Sequence, residues 1–381
     1  MEIQFPAEIE SVLLRLEQAG YEAYAVGGCI RDRYMQVEPH DYDVTTSALP
    51  QEVLAAFADR RTVETGLQHG TVTVLAAGEP IEITTFRQDG GYSDHRHPDA
   101  VTFTRSLEED LARRDFTMNA MAMDRKGEWF DPFEGRRDID ARLVRCVGEA
   151  ERRFEEDALR ILRGLRFAAR LGFAIEEKTA AAMLQKRMLL LAIAHERVFS
   201  ELCGLLRGQY AADILTQYRK VLEVVLPEMR EQGVQALPAE PPLRFAALFE
   251  TEADARAAMN RLKAPNAFKE TVLMLVRERD TVIPAERVAV HKRMAALGAE
   301  NYLQLTRYQG AEPCRAIAEQ LLREGACLSV GDLAVNGRDL MALGYRGKEL
   351  GAKLSSLLEQ VVSERLPNGR DILLNEIKKP H

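Results

Sequence analysis

Asp41 and Asp43 are separated by a single residue, Tyr42. On a strand, alternate side chains leave the same face. Two carboxylates converging there make a hard oxygen site suited to Mg²⁺. Upstream, Tyr24-Ala25-Val26-Gly27-Gly28-Cys29-Ile30-Arg31-Asp32 reads as an apolar strand, a glycine turn and the start of a helix. A turn of that kind lets backbone N–H groups approach phosphates closely. Gly-Gly alone is usually only a turn, and Asp-x-Asp alone is usually a solvated edge. Their occurrence together, with Arg31 and Asp32 between them, points to nucleotidyl transfer.

Two further stretches supply groups for a nucleotide. Arg113-Arg114-Asp115-Phe116-Thr117-Met118-Asn119-Ala120 is dense in hydrogen-bonding side chains. Its arginines offer planar donor forks to phosphate or ribose oxygens. Asp115 can accept from ribose hydroxyls, and Asn119 both donates and accepts. A surface ion pair, worth little, fits Arg-Arg-Asp equally well. Residues 156–166 carry the strongest helical pattern. There Asp157, Arg160, Arg163, Arg166 and Arg170 recur at helical spacing and form one polar stripe. Leu159, Leu162 and Phe167 lie off the stripe and can pack inward. A charge run is more often a solvated face. Here no glutamate lies within the stripe, and arginines sharing a face repel unless an anion balances them, so an anion site is favoured. Asp157 and Arg160 also suit base reading. An acidic acceptor takes an exocyclic amino group, and an arginine donates to a ring nitrogen or carbonyl. Cytosine and adenine present that edge, whereas guanine and uracil would leave buried groups unpaired.

The elements that must position these groups are legible from periodicity. Ile9, Val12, Leu13 and Leu16 predict a helix over 7–19 that Gly20 ends. Tyr24–Val26 and Tyr42–Thr45 read as strands, and Ser47 as the N-cap of a helix through Val53, Leu54 and Phe57. Thr71–Ala76 and Ile81–Phe86 predict a hairpin, and Val101–Phe103 a short strand. Strand signals fade after about residue 147, where Leu, Ala, Arg and Glu recur at helical periods. Pro238-Ala239-Glu240-Pro241-Pro242 is the best internal linker.

At 381 residues the chain exceeds what one hydrophobic core serves. With 46% hydrophobic and 29% charged residues it is an ordinary globular composition. No apolar run reaches membrane-spanning length and no signal-peptide pattern opens the chain. The cysteines Cys29, Cys146, Cys203, Cys314 and Cys327 are scattered, which argues against a disulfide scaffold or structural zinc and for a reducing cytoplasm. The net charge of −8 does not announce a nucleic-acid partner, although local basic patches matter more than the total.

On these motifs the chain resembles the class II tRNA nucleotidyltransferases, the bacterial CCA-adding enzymes. The resemblance runs from about residue 5 to 205. Besides the stretches above, it is carried by Thr65-Gly66-Leu67-Gln68-His69-Gly70-Thr71, Asp131-Pro132-Phe133-Glu134-Gly135 and Glu196-Arg197-Val198-Phe199-Ser200-Glu201-Leu202. The stretch from Val335-Asn336-Gly337-Arg338-Asp339-Leu340 onward is looser. The resemblance implies an α+β fold: a polymerase-β-like nucleotidyltransferase head over 1–140, then an all-α neck (141–205), body (206–270) and tRNA-binding tail (271–381). It implies addition of C, C and A to the tRNA 3′ end without a nucleic-acid template, with CTP and ATP as substrates and pyrophosphate released. Asp41 and Asp43 would be catalytic and hold Mg²⁺. Gly27, Gly28, Arg31, Arg114, Asp115, Asn119, Arg163 and Arg166 would contact the nucleotide. Asp157 and Arg160 would select CTP or ATP, and Glu196 and Arg197 would brace that helix from behind. Asp89–Arg96, with Asp94 and Arg96, resembles the flexible loop that CC-only enzymes lack. Val37-Glu38-Pro39-His40 and Glu134 depart from the family, which has a Gly-x-Pro-type turn and often a glycine at those places.

The expected partner is tRNA, recognised at its acceptor arm and 3′ end by shape and phosphates. DNA and membranes are not expected; the chain is expected as a monomer or homodimer in the cytoplasm. Glu82, on Ile81-Glu82-Ile83, reads either as a third metal-facing carboxylate or as a solvated strand residue. The rivals are an A-adding enzyme working after a separate CC-adding one, a poly(A) polymerase, a small-molecule nucleotidyltransferase and a catalytically silent RNA-binding scaffold.

Overall fold

The computed structural model describes residues 5–64, 66–76, 78–90, 101–230 and 233–378. Two compact units divide the chain, Met1–Pro227 and Glu228–His381. The division falls within the segment expected as the body.

The first unit opens with α1 (Ala7–Gln18), whose Ile9, Val12, Leu13 and Leu16 are buried. Gly20, at φ +89°, turns the chain into β1 (Ala23–Val26). Then follow α2 (Gly28–Tyr34), β2 (Asp43–Thr46), α3 (Pro50–Ala56), β3 (Thr62–Val63), β4 (Thr71–Ala76), β5 (Glu79–Thr85), β6 (Arg87–Asp89), β7 (Val101–Phe103) and α4 (Leu107–Ala112). After them come β8 (Ala122–Met123), β9 (Trp129–Phe130), α5 (Gly135–Asp140), β10 (Leu143–Val144), α6 (Ala150–Glu156), α7 (Leu159–Leu171), β11 (Ala174–Ile175), α8 (Glu177–Lys186) and α9 (His195–Leu206). Seven strands form one sheet in the order β3-β4-β5-β2-β1-β8-β9. Only the β2–β5 pairing in it is parallel, and it sets Asp43 opposite Glu82. The expected hairpin is the antiparallel β4–β5 pair.

Ser47 is not the cap of α3. Its hydroxyl accepts from the Glu22 amide at 2.9 Å, and Leu49 precedes the helix instead, with Pro50 in its first turn. The predicted helix over 156–166 is also broken. Asp157 is extended, at φ −139° and ψ 102°, between α6 and α7. Its Oδ1 accepts from the Leu159 amide at 3.0 Å, so an aspartate that periodicity placed on a helical face instead caps the start of α7. α7 packs closely on α9 because Gly204 and Gly208 carry no side chain: a Cβ on Gly208 would stand 2.3 Å from the Ala169 carbonyl oxygen.

The second unit is helical from Pro241–Ala246 to Arg370–Lys378. One of its cores gathers Val290, Met294, Tyr302 and Leu321, and another Leu340, Leu357, Val361 and Leu373. All five cysteines of the chain are free and buried.

Candidate active site

A cleft of about 380 Å³ in the first unit is lined by Gly27, Gly28, Arg31, Asp43, Arg113, Arg114, Asp115, Asn119, Asp157, Arg160, Arg163, Phe167 and Arg197. A larger cavity of about 830 Å³, lined by Arg145, Glu149, Arg152 and Lys178 among others, contains none of the candidate residues. The chemistry-bearing groups therefore mark the smaller cleft.

Asp43 is the first residue of β2 and Asp41 lies just before that strand; both are exposed overall, but only Asp43 lines the cleft, where neighbouring groups partly desolvate its carboxyl. Burial pushes the Asp43 carboxyl above its ordinary value, Arg114 pulls the other way, and the charges of Asp41 and Glu82 add to the rise. Glu82 is exposed on β5 in register with Asp43. Among the described residues no three acidic, histidine or cysteine side chains form a preformed metal cage. Two aspartates that repel one another beside an arginine-lined cleft nonetheless fit Mg²⁺, which usually takes one or two carboxylates and completes its shell with waters and substrate phosphates.

Gly27 turns β1 into α2 at φ +83°, a conformation that favours glycine. The absence of a side chain there also admits Arg114: a Cβ on Gly27 would stand 3.2 Å from Arg114 Nη1. From α2, Arg31 is buried and donates through Nη1 to Asn119 Oδ1 at 2.6 Å, with Asp32 receiving its Nε and Nη2. Asn119 in turn donates to Asp115 Oδ1 at 3.3 Å.

The arginine stripe is not a solvated face. Arg163 donates through Nε and Nη2 to Asp115 Oδ2 at 2.8 and 2.6 Å. Arg166 pairs with Glu201 on α9 at 2.9 Å, and Arg160 with Glu156 Oε2 at 2.8 Å. Protein carboxylates thus balance much of the positive charge, and all three come from outside α7. Arg170 is exposed and does not line the cleft. Burial would raise the Asp115 carboxyl, but Arg163, Arg160 and Asn119 together bring it down to about 2.

Asp157 and Arg160, the pair expected to read the base, stand at the α6–α7 break. Asp157 accepts from Leu159 through Oδ1 and from Arg197 Nη2 through Oδ2 at 3.1 Å. Arg160 donates to the Arg153 carbonyl at 3.2 Å, to Glu156 at 2.8 Å and to the Arg113 carbonyl at 2.9 Å, which leaves two of its five N–H groups uncommitted among the described residues. Arg197 braces Asp157 directly. Glu196 is exposed in the first turn of α9 and outside the cleft lining. Arg114 Nε and Arg197 Nη1 are buried with no hydrogen-bond partner among the described residues. Such donors suit a ligand rich in acceptor oxygens. Asp94 and Arg96 lie outside the described residues.

Three contributors escaped the sequence reading. Phe167, read as simple packing, is 7% exposed and lies under three guanidiniums: Arg31, Arg163 and Arg166 stand 5.2, 5.8 and 4.8 Å from its centroid. A ring face attracts such cations. Glu201 holds Arg166, and Asp110 is buried among the head arginines. A buried carboxylate among several arginines has no local sequence signature beyond its charge. One family departure acquires a reason: Glu134 adopts φ +59° before α5, a left-handed position that glycine takes without strain.

A family model described as the Poly A polymerase head domain matches residues 23–145. Models for the RNA and SrmB-binding site of polymerase A and for tRNA nucleotidyltransferase domain 2 match 172–232 and 243–377. The likeness therefore extends well past residue 205. The CCA-adding enzyme of Lactiplantibacillus plantarum is 38% identical, covering 98% of this chain and 96% of that protein. The CCA-adding enzyme of Geobacillus kaustophilus is 37% identical, covering 94% and 93%. The solved structure of the Bacillus stearothermophilus CCA-adding enzyme in complex with CTP superposes with a TM-score of 0.82 at 33% identity, over 97% of this chain and 96% of that one.

Proposed function

Because the chain belongs to the family of CCA-adding enzymes, we propose that it adds C, C and A to the 3′ end of tRNA from CTP and ATP, without a nucleic-acid template. Its first unit is the polymerase-β-like head with a helical neck, and the remainder is all-α. The observation that carries the activity is that one cleft is lined both by Asp43 with the Gly27–Gly28 turn and by Asp157 with Arg160. Bond-making groups and base-discriminating groups therefore face one nucleotide.

In the reaction, the tRNA 3′-hydroxyl attacks the nucleotide α-phosphate in line, and pyrophosphate leaves. Arg114 and Arg163 present donors to the triphosphate and sugar, as does Arg31; Arg166 does not line the cleft and packs on the Phe167 ring, which does. These positive charges are in place before the leaving group gains negative charge, which is where preorganised electrostatics lowers a barrier most. Asp157 accepts the exocyclic amino group of cytosine or adenine, and Arg160 donates to the adjacent ring acceptor. Arg197 Nη2 donates to Asp157 Oδ2 and holds that side chain in place. Asp41 and Asp43 are the residues that would hold Mg²⁺, which supplies Lewis-acid polarisation of phosphoryl oxygens when bound. Residues 1–140 serve as head, 141–205 as neck, 206–270 as body and 271–381 as tail, the last contacting the acceptor arm. Work in the cytoplasm fits five free cysteines. Among the described residues no helix is long and apolar enough to cross a membrane.

The alternative of A addition alone is set aside, since the relatives at this identity and coverage are CCA-adding enzymes. The test is to incubate the protein with tRNA ending before CCA, ending in C and ending in CC, each with CTP or ATP. CMP should enter the first two and AMP the third. Addition only to the CC-ended tRNA would overturn the proposal.

A further inference from the structure

We propose that Asp110 is a positioning residue for nucleotide transfer: a buried carboxylate that aligns the phosphate-facing Arg114 with the metal-bearing strand and the base-reading Arg160. The proposal rests on the functional reading above.

Asp110 lies in α4 and is fully buried. Its Oδ1 accepts from Arg113 Nε at 3.0 Å, from Arg113 Nη2 at 2.8 Å and from the Arg87 amide at 3.3 Å. Its Oδ2 accepts from the Thr45 hydroxyl and from Arg114 Nη2, each at 3.3 Å. These partners belong to three separate pieces of the head. Thr45 is on β2, two residues beyond Asp43, and Arg87 begins β6 of the β6–β7 hairpin. Arg113 and Arg114 follow α4 and line the cleft.

A buried charge is tolerated only when paired and hydrogen-bonded, and here the pairing has a direction. Burial alone would raise the Asp110 carboxyl, but Arg113 and Arg114 hold it below its ordinary value, so it is an anion at neutral pH. As an acceptor-only group it ties Arg114 to Thr45 on the strand that carries Asp43. The same segment reaches the neck: the Ala112 carbonyl accepts from Arg153 Nη1 at 3.1 Å, and the Arg113 carbonyl from Arg160 Nη2 at 2.9 Å. Asp110 thus sets where the end of α4 stands, and the end of α4 sets where Arg160 stands. Asp110 itself does not line the cleft.

The test uses the full chain carrying Asp110→Asn, which keeps the shape and removes the charge. Nucleotide KM and tRNA KM are measured separately for CMP addition to tRNA ending before CCA and AMP addition to CC-ended tRNA. Nucleotide KM for both CTP and ATP should rise about tenfold while tRNA KM stays within about twofold. In an Arg114→Met background, the same substitution should raise nucleotide KM clearly less than about tenfold, the remainder coming through Arg113 and Arg160, because residues acting through one another are not additive. Nucleotide KM unchanged in a folded Asp110→Asn protein, or full additivity with Arg114→Met, overturns the proposal. If Asp110→Asn does not fold, Thr45→Val removes the hydroxyl that Asp110 shares with the Thr84 carbonyl and leaves both guanidiniums. It should raise nucleotide KM about threefold, and an unchanged KM overturns the proposal. A wild-type chain that incorporates nothing sinks the functional reading, whereas an active wild type with an unaltered Asp110→Asn variant sinks only the role of Asp110.

Discussion

Asp115→Asn removes the charge that holds Arg163 in the cleft while nearly preserving shape. In the wild type both Asp115 oxygens are committed: Oδ2 takes the Arg163 fork at 2.8 and 2.6 Å, and Oδ1 takes the Phe116 amide at 2.8 Å and Asn119 at 3.3 Å. Burial opposes the charge, yet Arg163 and its neighbours bring the carboxyl from 3.8 to about 2. A folded-state value depressed below the unfolded one contributes stability that is fully present above the unfolded value and is lost as pH falls through the folded value. The window is therefore from about pH 4 down to about pH 2. At ~1.4 kcal/mol per unit, the depression corresponds to ~2 kcal/mol at neutral pH. The only tryptophan of the chain, Trp129, lies in the first unit and reports its unfolding. Urea unfolding followed by its fluorescence should show Asp115→Asn less stable by ~2 kcal/mol at pH 7, with the difference shrinking as the pH is lowered from about 4 toward 2. A difference that is the same at pH 7 and pH 3, or absent at pH 7, refutes the reasoning.

Gly27→Ala places a Cβ at φ +83° and 3.2 Å from Arg114 Nη1; CTP affinity in equilibrium titration should fall at least about tenfold, with ~1 kcal/mol of lost stability. Gly204→Ala and Gly208→Ala form a contrasting pair. A Cβ on Gly204 meets the flexible Arg166 Cδ at 2.5 Å, whereas on Gly208 it meets the Ala169 carbonyl at 2.3 Å. The first should raise nucleotide KM with a nearly unchanged melting temperature, and the second should cost ~1–3 kcal/mol in unfolding experiments. Arg197→Met removes the 3.1 Å brace on Asp157; kcat/KM for both CTP and ATP should drop about tenfold or more while melting changes little, and competition assays should show more UMP and GMP misincorporation.

Residues close in sequence were read well because their constraint is local. Helix α1 needs only Ile9, Val12, Leu13 and Leu16 at one helical face, and the β4–β5 hairpin needs only alternation about a turn. The Gly27 turn is likewise visible, since few other residues take its backbone angle. Local reading failed where a short polar side chain had a competing partner. Ser47 bonds Glu22 rather than capping α3, and Asp157 bonds the Leu159 amide and so interrupts the helix that periodicity continued through it.

The arginine stripe shows the remaining division. Types and spacing alone determined that Arg160, Arg163 and Arg166 rise along one helix and that Asp41 and Asp43 precede or open a strand. Tertiary structure decided which carboxylates meet which arginines: Asp115 is 48 residues from Arg163, and Asp110 is 65 residues from Thr45. Charge pairing is set by distance in space, and a chain's spacing encodes spatial distance only within a helix turn or a strand pair. Once the sheet brings β2, α4 and the start of α7 to one cleft, burial makes each unpaired charge costly, and the network follows from that cost.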